Sequence, residues 1–188
     1  MESSGWRSFG LDFKTKGAKK ANRICGPDFF KRIIEETKDL PINHFLCGGA
    51  EGVADELATQ CKAWGNQNIV GTDSPPFKSL TESDYSEIAE RINASKAHVV
   101  WIGLGAPKQI YFAHELAKFT HVQFLVTIGA AFDFHINRVK KAPNWIQKIG
   151  MEWFYRLCQE PRRLAKRYFK VVPLFIFYAF VDVFKRDK

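Results

Sequence analysis

Between Ile24 and Phe134 the sequence alternates short apolar runs with segments of helical period, and small residues follow three of those runs. This alternation constrains the fold more than any other feature. Gly26-Pro27-Asp28 opens a helix-like stretch from Phe29 to Leu40, with Pro27 suited to a first turn and Asp28 to a helix N-terminus. Ile42 to Cys47 reads as a short buried strand running into Gly48-Gly49. Gly52 to Trp64 has helical period, with Val53, Leu57 and Cys61 four apart. Asn68 to Gly71 reads as a second strand and Asp73 to Lys78, with Pro75-Pro76, as a loop. Thr81-x-x-Asp84 resembles a capping box before a helix to about Ala94. His98 to Leu104 is a third strand, Pro107 to Phe119 a helix, and Val122 to Ile128 a fourth strand followed by Gly129-Ala130-Ala131. Strand, glycine and helix in repetition mark parallel βαβ units. The expected fold is α/β, a Rossmann-like parallel sheet flanked by helices, with a C-terminal basic and apolar helical appendage.

Ligands of such sheets bind beyond the carboxyl ends of the strands. Small residues there let a ligand approach the backbone, and the next helix N-terminus favours a phosphate. Gly48, Gly49, Gly103, Gly105 and Gly129 are therefore candidate substrate-binding positions. The plainer alternative is that they make tight turns only. Three such ends together point to a phosphorylated ligand. No G-x-x-x-x-G-K-[ST] string and no full G-x-G-x-x-G occurs, so neither an ATPase nor an ordinary dehydrogenase is supported.

Charge divides the 188-residue chain. The net charge is +8, yet residues 138–188 hold 13 basic and 4 acidic residues, against 15 and 16 before them. A cationic quarter on a near-neutral body calls for an anionic partner there, with a solvated basic face as the alternative. Asn144 to Tyr168 reads as helical, broken or kinked at Pro161. Val171 to Val181 follows, eleven residues without a charge, closed by Lys185, Arg186 and Lys188. Eleven residues are too few to span a bilayer but enough to lie in its interface beside those cations. An oligomer contact or a last core helix are the competing readings. The apolar stretch argues against nucleic acid as the partner. Met1 to Gly10 has no apolar signal core. Cys25, Cys47, Cys61 and Cys158 lack C-x-x-C spacing and are expected to be reduced thiols of a cytoplasmic protein. The composition, 46% hydrophobic and 26% charged, excludes a disordered chain, a collagen and a disulfide miniprotein.

Six strings occur together: Arg23-Ile-Cys-Gly-Pro-Asp28; Leu46-Cys-Gly-Gly49 with Gly52-Val-Ala54; Gly103-Leu-Gly-Ala-Pro-Lys-Gln109; Gly129-Ala-Ala-Phe-Asp-Phe134; Lys141-Ala-Pro143; and Glu152-Trp-Phe-Tyr-Arg-Leu157 with Gln159-Glu-Pro-Arg-Arg163. In order and spacing they resemble the WecG/TagA/CpsF glycosyltransferase family over about residues 20 to 170. The resemblance implies transfer of a hexose or N-acetylhexosamine, typically N-acetylmannosamine, from a UDP-sugar. The implied acceptor is a polyprenyl-diphosphate-linked saccharide at the cytoplasmic face of the membrane, in synthesis of cell-surface polysaccharide. It implies three parts: a remnant N-terminal region at 1–22, a nucleotide-sugar domain at 23–143 and a membrane-associating appendage at 144–188.

In such a transfer the leaving diphosphate gains charge, so preorganised cations should face it. No Asp-x-Asp metal motif is visible, which favours metal-free catalysis by arginines and calls for no cofactor. By resemblance Arg156 and Arg163 belong to the appendage that closes over the site, with Lys166 or Arg167 beside them. Lys108 and Gln109 stand at a helix start and can hold nucleotide or sugar. Arg23 and Asp28 match a family string, as a binding pair or as a local ion pair that shapes the loop. Asp133 is either a polar site residue or a buried carboxylate that caps the next turn. Ser4 stands where the family's Asp-Gly aspartate is expected, and Asp12 lies too far along to replace it. Ile110 replaces a glutamate and Asn137 a glycine, the latter a mild change because asparagine tolerates positive φ. These departures support a second reading, a truncated and inactive relative that binds UDP or a partner subunit.

Overall fold

A computed structural model describes residues 25–186. The expectations for residues 1–22, including Ser4 and Asp12, and for Arg23 lie outside the described residues. The described chain forms two compact units, 25–140 and 141–186.

The first unit is built on four strands, β1 (His44–Gly48), β2 (Ile69–Asp73), β3 (Val99–Gly103) and β4 (Phe124–Thr127). Their order is β2-β1-β3-β4 and every pair is parallel. Helices α1 (Gly26–Glu36), α2 (Val53–Ala63) and the short α5 (Ala131–His135) share one face. They close over Leu46, Ile69 and Trp101. On the other face α3 (Glu82–Ala94) and α4 (Lys108–Leu116) cover Phe45, Cys47, Val100 and Ile102. Alternate residues of β1 and β3 thus serve opposite layers, and apart from His44 both strands are apolar on both sides, as a sheet covered twice requires.

The sequence signals act where the physics places them. Pro27 lies in the first turn of α1, where its missing N–H costs nothing. Thr81 caps α3: its Oγ1 accepts the Asp84 N–H, and the Asp84 carboxylate accepts the Thr81 N–H at 2.7 Å. That contact and Lys78 hold the Asp84 carboxyl down at about 2. Asn137 has φ +59°, so the residue in the family's glycine place adopts the left-handed conformation expected of it. Asp73, read as loop, extends β2 instead, where its carboxylate meets Arg91 at 2.7 Å.

The second unit consists of α6 (Asn144–Lys148), α7 (Glu152–Gln159) and α8 (Pro161–Arg186). Trp153 of α7 packs edge-on against Tyr168 of α8, with ring centres 5.9 Å apart. Pro161 does end one helix, and it starts the next. The chain then departs from the two separate segments read in the sequence: α8 runs unbroken for 26 residues, through Pro173. That is about 39 Å of helix. Proline removes the bond to the carbonyl four residues earlier. Here that residue is Phe169, 81% exposed, so water can take the carbonyl.

Candidate functional site

At the centre of the sheet the connections from β1 and β3 leave in opposite senses, toward α2 on one face and α4 on the other. A crevice opens at such a reversal of strand order. The register sets Gly48 opposite Gly103, so both strands end level. They also end close. A Cβ on Gly48 would lie 2.8 Å from the Gly103 backbone, and Gly48 has φ +135°. A Cβ on Gly103 would strike the Phe132 ring at 2.8 Å. The Gly49 N–H donates to the Gly103 carbonyl at 3.1 Å. These glycines are therefore required by packing as well as by any ligand. Gly105 differs: it has φ +76° with open space around the Cβ position, so only its conformation demands glycine.

Gly129 joins the same end of the sheet. Its N–H donates to Oε1 of Gln109 at 2.9 Å, and Gln109 is buried. The side chain proposed for sugar or nucleotide thus ties the turn after β4 to the start of α4. The turn after β2 joins as well: Ser74 Oγ donates to the Ala50 carbonyl at 3.3 Å. The four strand ends form one connected rim.

Lys108 brings a cation to this rim. It is exposed, and its Nζ lies 5.2 Å from the centre of the Phe77 ring. Two arginines of this unit are paired with carboxylates. Asp73 holds Arg91, and Glu56 of α2 holds Arg138 at 3.0 Å across to the segment after α5. Asp28 is exposed in the first turn of α1. The α1 start reaches the rim beside β4, since a Cβ on Gly26 would lie 3.3 Å from the Ile128 carbonyl. Asp133 is half-buried on α5, and its backbone carbonyl accepts the Val139 N–H.

In the second unit Arg156 is half-buried and pairs with Glu160 at 3.6 Å, one turn along. Arg163 and Arg167 lie on α8, with side chains outside the described residues. Among the described residues no group of His, Cys, Asp and Glu is arranged to hold a metal ion. Ile110, which by the resemblance replaces a glutamate, is 58% exposed on α4. Ser74 and Phe77 do not stand out in the sequence as site residues. The available signal was a large apolar residue directly after Pro75-Pro76, in a loop leaving a strand end.

A family profile described as the glycosyl transferase WecG/TagA/CpsF family matches residues 10–188. The chain belongs to this glycosyltransferase family. The match runs through both units, so α6, α7 and α8 are part of the glycosyltransferase chain and not an unrelated tail. Among the described residues no helix is long and apolar enough to cross a membrane.

Proposed function

We propose that the chain transfers a hexose or N-acetylhexosamine, of the N-acetylmannosamine type, from a UDP-sugar to a polyprenyl-diphosphate-linked acceptor. The observation that carries this reading is the connected rim of small-residue turns at the reversal of strand order, in a member of a glycosyltransferase family. An acceptor hydroxyl attacks the anomeric carbon as the bond to the diphosphate breaks, and the hydroxyl proton passes to solvent. UDP leaves with the bonding electrons, and the configuration inverts. The role assigned to Arg156, Arg163 and Arg167 is to meet the charge that gathers on the leaving diphosphate, since guanidinium binds phosphate oxygens in pairs and stays charged. Gly48, Gly49, Gly103, Gly105 and Gly129 shape the donor site, with Lys108 as its cation.

The lipid-linked acceptor places the reaction at the inner face of the cell membrane. In support, α8 exposes Phe169, Leu174, Phe177 and Tyr178 together with Arg162 and Lys166, and Trp145 of α6 and Ile149 after it are exposed in the same unit. Apolar rings beside cations suit an anionic lipid surface.

Full-length protein given UDP-N-acetylhexosamines and a polyprenyl-diphosphate acceptor should release UDP. Arg156→Gln and Arg163→Gln should each lower turnover by about 10²- to 10³-fold. Folded protein that turns over no UDP-hexosamine rejects the enzymatic reading. UDP binding without turnover would instead establish the binding-only relative. Sedimentation with anionic liposomes should lose most of the protein on deletion of 171–188, and unchanged binding would refute the membrane role.

A further inference from the structure

The loop between β2 and α3 holds an aromatic ring out into solvent at the strand ends. Phe77 is 73% exposed, so its ring is open to a partner. The loop is built to keep it there. Pro75 is buried and anchors the segment, while Pro76 restricts the backbone directly before the ring. Ser74 ties the same loop to the Ala50 carbonyl beyond Gly48-Gly49. From the other side of β1, Lys108 at the start of α4 reaches over the ring, 5.2 Å from its centre. The contact therefore bridges the turns after β2 and β3, the two strands that flank β1.

We propose that Phe77 is the stacking surface for the nucleobase of a nucleoside diphosphate, and that Lys108 occupies the ring only until that ligand arrives. The inference rests on the UDP-sugar reading and names the residue that recognises its base. The exchange is favoured by magnitude. A cation over an exposed ring is worth about 2- to 5-fold in affinity. A base stacked on an aromatic side chain is worth about 5- to 150-fold. The displaced ammonium gains a better partner in the diphosphate, with which it forms a charge-assisted hydrogen bond. A ring with its cation withdrawn and a lysine turned to phosphate describe one bound state, so the two residues act as a pair.

Titration calorimetry on the full-length chain separates the parts, with UDP and inorganic pyrophosphate as probes. Phe77→Ala should weaken UDP by about tenfold or more and leave pyrophosphate within twofold of the parent protein. Lys108→Met should weaken both. Phe77→Trp should retain UDP affinity and add an indole signal that UDP quenches and pyrophosphate does not. This variant keeps the test valid if the alanine variant misfolds. Phe124→Ser, an exposed aromatic at the opposite end of the sheet, should change neither affinity. Equal losses of UDP and pyrophosphate in Phe77→Ala, or UDP affinity within twofold of the parent, overturn the inference while the donor reading stands. No UDP binding by the parent protein overturns the donor reading itself and this inference with it.

Discussion

His44 is a polar residue in the centre of an apolar layer, fully buried at the start of β1. Its ring is satisfied on both sides. Trp101 Nε1 donates to Nδ1 at 3.1 Å, so the proton resides on Nε2, which donates to Thr37 Oγ1 at 2.8 Å. Thr37 passes its own hydroxyl hydrogen to the Ile33 carbonyl at 2.7 Å. The network accommodates a neutral imidazole only. Burial, and His98 nearby, push the His44 pKa down to about 4. The unfolded chain then binds a proton that the folded chain refuses, so stability falls as pH drops from about 6.5 toward 4. A shift of that size is worth about 3 kcal/mol. Urea unfolding at pH 7.5 and 4.5 should show this loss, and His44→Gln should flatten much of it. The thiols make a second residue-scale prediction. Burial pushes Cys61 up to about 12, and burial with Asp73 beside it pushes Cys47 higher still. Cys158 is exposed. Iodoacetamide should therefore label Cys158 in the native protein, with Cys47 and Cys61 modified only after denaturation, as read by peptide mass spectrometry.

Helix ends and tight turns were legible one by one, because each depends on neighbours in the sequence. The Thr81–Asp84 capping box was read from its spacing alone, and Thr81→Ala should cost about 1 kcal/mol in equilibrium unfolding. Asn137 was legible by another route: the resemblance sets it where a glycine is usual, and asparagine tolerates the positive φ that it adopts. Asn137→Val should destabilise by about 1–2 kcal/mol, and Asn137→Gly should be nearly neutral. The bond from Gly129 to Gln109 was not legible. The two residues meet through the packing of β3, α4 and β4, and periodicity carries no strand order. Gln109→Leu leaves that amide without its acceptor and should cost about 1–3 kcal/mol. Hydrogen exchange should locate the loss at the turn after β4. The continuity of α8 escaped the sequence because Pro173 stands where helix rules place a break.

At the scale of the molecule, the sequence pattern announced a parallel sheet between two helical layers but left the strand order open. That order decides which turns become neighbours, and so which residues form a site. Phe77 illustrates the gap: it is unremarkable beside Pro76 and becomes a candidate contact once β1 is seen between β2 and β3. The near-neutral charge before residue 138 fits the first unit, where two carboxylates, Asp73 and Glu56, meet Arg91 and Arg138.

The meeting of Gly48 and Gly103 has a consequence for how this protein tolerates change. A Cβ on Gly48 would strike the Gly103 backbone and a Cβ on Gly103 the Phe132 ring; neither glycine has a side chain to give up, so neither position can be enlarged at the other's expense. A combinatorial library randomised at both codons and selected for soluble expression should return the parental pair almost alone. Diversity aimed at a new ligand is better directed to the loop that carries Phe77, where side chains find room.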